Sequence, residues 1–165
     1  MVKPHRDTIS VHDCQILAHY QFEADQYIIT LESKEIADST RPGQFVHLSV
    51  SGMLAMRRPI SVMSVDIENG TFDLLYKIVG EGTKQLAERK IGDVLSVIGP
   101  IGNGFELTDR KIPLLIGGGV GMPPMIAIAQ KIKDNAYYNP YVILGSEVPF
   151  PFEASQSSLS GFNSS

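Results

Sequence analysis

The chain has 165 residues, 43% hydrophobic and 19% charged, with one cysteine and a formal charge of −4. That length buries one good core but falls short of two complete domains of about 100–200 residues each. A lone thiol, Cys14, excludes a disulfide framework, a four-cysteine zinc site and an iron–sulfur cluster held by four thiolates of this chain, and the mildly acidic balance, with no basic run longer than Arg57-Arg58, excludes the electrostatic footprint of a nucleic-acid binder.

Residues 1–10 contain Lys3, Arg6 and Asp7 but no apolar stretch of a secretory signal, and a single thiol suits a reducing compartment, so the expected location is the cytoplasm. Residues 112–129 carry no charge over a length that nominally spans a bilayer. Gly117, Gly118, Gly119, Gly121, Pro123 and Pro124 lie in their middle and would break such a helix, so no membrane span is expected.

In chain order, residues 14–19 and 26–32 read as strands; in the second, Tyr27, Ile29 and Leu31 alternate with Ile28, Thr30 and Glu32. The turn Arg41-Pro42-Gly43-Gln44 precedes a strand over 45–50. Residues 59–65 and 71–79 flank the turn 66–70, whose Asn69-Gly70 dipeptide makes this pair the clearest hairpin in the chain. Residues 83–90 read as a helix with Thr83 as N-cap, and 94–98 as a sixth strand. Six short strands and one helix imply a small antiparallel barrel.

After the Gly/Pro-rich stretch 99–104 the pattern changes. Residues 112–116 form a continuous apolar run suited to a strand buried on both faces, followed by glycines 117–121 and a helix over 123–134. Met125, Ile126, Ile128, Ala129 and Ile132 make one apolar stripe along that helix, and its prolines fall in the first turn, where no backbone donor is required. A strand at 141–144 completes a single βαβ unit. Residues 155–165 hold six serines and only Leu159 and Phe162 as large apolar groups, so they are expected to be disordered. The expected units are therefore 1–105, 106–154 and a tail at 155–165.

Three motifs carry chemistry. Arg57-Arg58-Pro59-Ile60-Ser61 enters the fourth strand; an arginine fork can hold a phosphate, and a surface arginine beside a strand would look the same. Leu75-Tyr76-Lys77-Ile78-Val79-Gly80-Glu81-Gly82-Thr83 leads two glycines into a helix start, which suits a pyrophosphate or a simple loop-to-helix turn. Gly117-Gly118-Gly119-Val120-Gly121 lies between strand and helix, where backbone can approach a dinucleotide, although the spacing is not that of the G-x-G-x-x-G fingerprint.

Their order is more specific than any one of them: R-P-x-S, a Gly-x-Gly-Thr helix start about twenty residues on, Gly-Pro-Ile-Gly-Asn-Gly-Phe at 99–105, then a strand and Gly-Gly-Gly-x-Gly. With the pre-strand turn Arg41-Pro42-Gly43-Gln44-Phe45-Val46, the sequence resembles the ferredoxin reductase superfamily, most closely the electron-transfer subunit of dihydroorotate dehydrogenase, from about residue 13 to 144. The resemblance implies a six-stranded antiparallel flavin-binding barrel followed by an incomplete Rossmann-like βαβ nucleotide unit. It implies that Arg58, Pro59, Ile60 and Ser61 contact FAD, with Arg58 at the phosphates and Ser61, the catalytic candidate, near the reactive ring edge. Leu75, Tyr76 and Lys77 would line the flavin, Gly82 and Thr83 would bind its pyrophosphate, and Gly117, Gly118, Gly119 and Gly121 would face NAD(P)H. The implied chemistry is hydride transfer to flavin N5 and one-electron release to a partner, such as a dihydroorotate dehydrogenase catalytic subunit in pyrimidine biosynthesis.

The family's electron-transfer subunit is expected to carry a cysteine cluster for a 2Fe–2S centre near its C-terminus, and this chain ends before such a region. The expectation is thus a truncated fragment without an iron–sulfur cluster, whose activity is open. A stand-alone NAD(P)H–flavin or ferredoxin reductase and a non-catalytic docking module are the alternatives. Glu147, in Gly145-Ser146-Glu147 after the last strand, suits ribose hydroxyls and favours NADH over NADPH, although a solvated glutamate would also stand there. His5, His12, His19 and Cys14 have no metal-ligand spacing; no metal site is expected, and Cys14 reads as a packed thiol.

Overall fold

The computed structural model describes residues 9–50, 56–109 and 111–152, so His5 and the expected tail lie outside the described residues. Its first part is a closed antiparallel barrel of six strands in the order β1-β2-β5-β4-β3-β6: β1 (Ser10–Phe22), β2 (Gln26–Glu32), β3 (Phe45–Ser49), β4 (Arg58–Asp66), β5 (Thr71–Lys77) and β6 (Val94–Ile101). Closure depends on the length of β1. Its first half pairs with β6 (Ser10↔Gly99 to Gln15↔Val94) and its second half with β2, with a bulge between Ile16 and Ala18 where the strand bends from one partner to the other. The period-2 pattern of β2 is realised in this closure: Ile29 and Leu31 point inward among Ile16, Leu48, Phe72, Leu74 and Leu95, all essentially without exposure.

A short helix that the sequence pattern did not declare, α1 (Lys34–Ser39), closes one end of the barrel. Ser33 caps it by accepting the Ile36 N–H at 3.3 Å, and Ile36 and Ala37 are buried, Ile36 in the barrel core. The helix expected over 83–90 is observed as α2 (Glu81–Ala87). Its N-cap is Gly80, and Thr83 is the third helical residue, where Thr83 Oγ1 accepts the Val79 N–H at 2.9 Å and the Gly80 N–H at 3.3 Å. The threonine thus reaches back to close the turn instead of heading the helix, because extended backbone at Gly80 lets the helix begin two residues earlier.

The second part is β7 (Leu114–Gly118), α3 (Met122–Ile132) and β8 (Tyr141–Gly145), with β7 and β8 parallel in the register Leu114↔Tyr141 to Gly118↔Gly145. The run expected to be buried on both faces is buried on one. Leu115 faces α3 and is buried, while Ile112, Leu114 and Ile116 are exposed, because one helix covers one side of a two-stranded sheet. The apolar stripe of α3 also divides. Met125, Ile128, Ala129 and Ile132 pack on Leu115, whereas Ile126, with Met122, packs on Met63 and Leu75 of the barrel's outer face. That second contact joins the βαβ unit to the barrel. Among the described residues no helix is long and apolar enough to cross a membrane, and no group of His, Cys, Asp or Glu could hold a metal ion.

Candidate functional site

Two adjacent arginines at the start of β4 have different duties. Arg57 is bound to the barrel: Nη1 donates to the Ser96 carbonyl at 2.7 Å and Nη2 to Ser96 Oγ at 3.0 Å. Arg58 turns to α2, where its guanidinium lies against Gly82. A Cβ on Gly82 would stand 1.7 Å from Arg58 Nε and 2.5 Å from Cζ, so only glycine admits this approach. Among the described residues no carboxylate pairs with Arg58. The first turn of α2 adds N–H groups that have no acceptor within the helix. An unpaired planar fork of five donors beside that turn is suited to the oxygens of a phosphate. The donor set and the glycine cradle therefore fit the pyrophosphate of FAD.

The other expected flavin residues separate by strand alternation. Ile60 points into the barrel core; Ser61, half-buried, lies on the opposite face of β4, the face on which Met63 meets α3. Pro59 is exposed. Leu75 packs outward with Met63 and Met122, while Tyr76 points inward. The Tyr76 ring stacks on Tyr27 at 5.3 Å and 12°, and its hydroxyl lies 2.8 Å from His19 Nε2. The Arg89 carbonyl, 2.9 Å from His19 Nδ1, can only accept, so Nδ1 carries the imidazole proton and Nε2 accepts from Tyr76. Burial pushes the Tyr76 hydroxyl pKa up, with Tyr27 adding to the shift. Tyr76 thus commits its side chain to the core, and what it offers the outer face is backbone.

Lys77, the last residue of β5, belongs to a second place. A crevice of about 550 Å³ opens where β7 and β8 end, with Gly118, Gly119 and Val120 on one side, Gly145, Ser146, Glu147 and Val148 on another, and Gln26 and Lys77 from the barrel. Ligands of parallel α/β sheets sit outside the carboxyl ends of their strands, which is the position of this crevice. Of the four loop glycines, Gly118 and Gly119 line it. Gly117 packs inward: a Cβ there would lie 3.1 Å from Met122 Cα and from Met125 Cγ, so its role is close approach of strand and helix. Gly121 is the N-cap of α3.

Sequence reasoning singled out Glu147 but not Gln26, which joins it in the crevice from the other end of the chain. No local signal marks Gln26, because the contact forms only on folding. Cys14 is fully buried, with its thiol pushed up to about 12 by burial, as suits a packed core group.

Residues 14–105, more than half of the chain, match the family described as oxidoreductase FAD-binding domain. The chain belongs to this family. It is 41% identical over 111 residues to the electron transfer subunit of dihydroorotate dehydrogenase B (NAD(+)) of Bacillus cereus (strain B4264), covering 64% of this chain and 43% of the relative. It is 37% identical over 123 residues to the corresponding subunit of Enterococcus faecalis (strain ATCC 47077 / OG1RF), covering 72% and 47%. An NADH-dependent reduced ferredoxin-NADP oxidoreductase, described in connection with flavin-based electron bifurcation, superimposes with a TM-score of 0.76 at 31% identity, over 82% of this chain and 49% of that one. A ferredoxin reductase of carbazole 1,9a-dioxygenase shares the fold, with a TM-score of 0.71 at 23% identity. The chain spans less than half the length of the curated relatives it matches. Arg58 and Gly82 both fall within the matched residues, as do β2 to β6 and β1 from Cys14 onward.

Proposed function

We propose that this chain is an electron-transfer flavoprotein component: a flavin unit over 1–105 that holds FAD at Arg58 and α2, and a nucleotide unit over 106–154 that presents NAD(P)H at the crevice beside Lys77. The observation that carries the reading is the Arg58 guanidinium seated on Gly82, with no carboxylate paired to it among the described residues. When bound, the flavin supplies a two-electron acceptor for a pyridine nucleotide and a one-electron donor for a partner.

The chain's own residues bind and orient. Arg58 neutralises phosphate charge, the first turn of α2 offers backbone donors, and Thr83 keeps that turn closed through its bonds to the Val79 and Gly80 N–H groups. Arg57 fixes the start of β4 so that Arg58 has one direction to take. Leu75 and Met63, packed on Met122 of α3, keep the nucleotide unit against the face that carries Ser61 and exclude water there. Glu147 supports a preference for NADH, since a carboxylate accepts from ribose hydroxyls and repels a 2′-phosphate. The curated relatives support a dihydroorotate dehydrogenase catalytic subunit as the partner that takes the electrons.

Titration of the purified chain with FAD, followed by flavin fluorescence and the visible spectrum, tests the core of this reading. Saturable micromolar binding that Arg58→Ala weakens is expected. Unchanged affinity in that variant, or no flavin binding by the parent, would overturn it.

A further inference from the structure

We propose that Gln26 is a positioning residue of the crevice: its side-chain amide latches the segment after β8 to the barrel, and thereby holds Glu147 in place on the nucleotide site. The proposal rests on the reading of the crevice as a pyridine-nucleotide site. Gln26 opens β2 directly opposite Lys77 in the β2–β5 ladder and is only 5% exposed. Its Nε2 donates to the Glu23 carbonyl at 3.3 Å and to the Pro149 carbonyl at 3.0 Å. Both amide protons are spent, one within the barrel and one on an acceptor 123 residues further along the chain.

Packing ties the latched segment down as well. Phe152 packs against the cluster of Met63, Leu75 and Met122. Between β8 and these ties lie Ser146, which accepts the Val148 N–H at 3.3 Å, and Glu147, which lines the crevice. The segment that carries Glu147 is therefore tied to the barrel by a polar contact as well as by packing, and Gln26 makes the polar contact from the barrel side. The chemistry at this position is restrictive. Two carbonyl oxygens require two donors; a glutamate would set a negative charge against both, and a leucine would leave both without this partner.

The test uses the full chain loaded with FAD, in Gln26→Glu and Gln26→Leu forms, with NADH and ADP-ribose as calorimetric probes and FAD affinity read separately. Both variants are expected to weaken nucleotide binding about tenfold while leaving FAD affinity within about twofold, a split that general destabilisation would not produce. Without nucleotide, amides of residues 146–148 are expected to exchange faster in both variants than in the parent. Unchanged nucleotide affinity, a parallel loss of both ligands, or unchanged exchange at 146–148 would overturn the latch. A parent chain that binds FAD but neither NADH nor ADP-ribose would remove the nucleotide reading and the latch with it, a result distinct from parent binding that the variants leave intact.

Discussion

Gly82→Ala separates the role of Gly82 in binding from its role in folding, because the two respond with opposite sign. The added methyl carbon would stand 1.7 Å from Arg58 Nε and 2.7 Å from Nη2, so the guanidinium must leave its seat on α2. A charge-assisted hydrogen bond to a phosphate is worth about 1.5–3 kcal/mol, and at about 1.4 kcal/mol per decade its loss weakens FAD binding roughly 10–150-fold. The helix itself gains, since alanine in a helix is favoured over glycine by about 1 kcal/mol. The expected result is a chain whose melting temperature without flavin is held or raised while its affinity for FAD falls. Gly80→Ala is the control: nothing lies within 4 Å of a Cβ at Gly80, and its φ of −178° is extended backbone open to alanine. The assay is FAD titration by fluorescence beside thermal melts of the apoprotein. Gly82→Ala binding FAD within about twofold of the parent would refute the reasoning.

Leu115→Ala should destabilise the chain by about 2–5 kcal/mol in denaturant melts, and Ile116→Asp, one residue along on the exposed face of β7, by far less; equal losses would contradict the one-sided burial of the strand. Cys14 should resist a thiol reagent in the native chain at pH 8 and react once unfolded, because burial holds its thiol up at about 12. The same shift has a stability consequence. With its pKa raised from 9.0 to about 12 in the folded chain, Cys14 contributes stability that is fully present below pH 9 and is lost as pH rises through about 12, since the native state then binds more protons than the unfolded state. Cys14→Ala should therefore show a shallower fall in unfolding free energy between about pH 9 and 12, and an equal slope would count against the shift.

Much of the barrel is legible before folding because its signals are local. The alternation of Tyr27, Ile29 and Leu31 and the Asn69-Gly70 turn fix strands and hairpin through side-chain period and turn chemistry. The glycines around Glu81 likewise point to the helix start where Arg58 arrives. What local pattern misjudges is context. An apolar run such as Leu114-Leu115-Ile116 looks alike whether one face or both are covered, and only the number of helices present decides. Thr83 is a good N-cap residue by type, yet Gly80 takes that place because the chain can extend there.

The sequence by itself determined the closed six-stranded barrel, the βαβ unit and the family to which the barrel belongs, since each is written in residue period, turn residues and motif order. Only the tertiary structure decided which atoms meet. It separated Arg57, bound to Ser96, from Arg58, seated on Gly82; it turned Tyr76 into the core; and it brought Gln26 to Pro149 across 123 residues. The physical reason is range: periodicity and turn propensity act over a few neighbouring residues, whereas a site is assembled by packing between segments that no local signal connects.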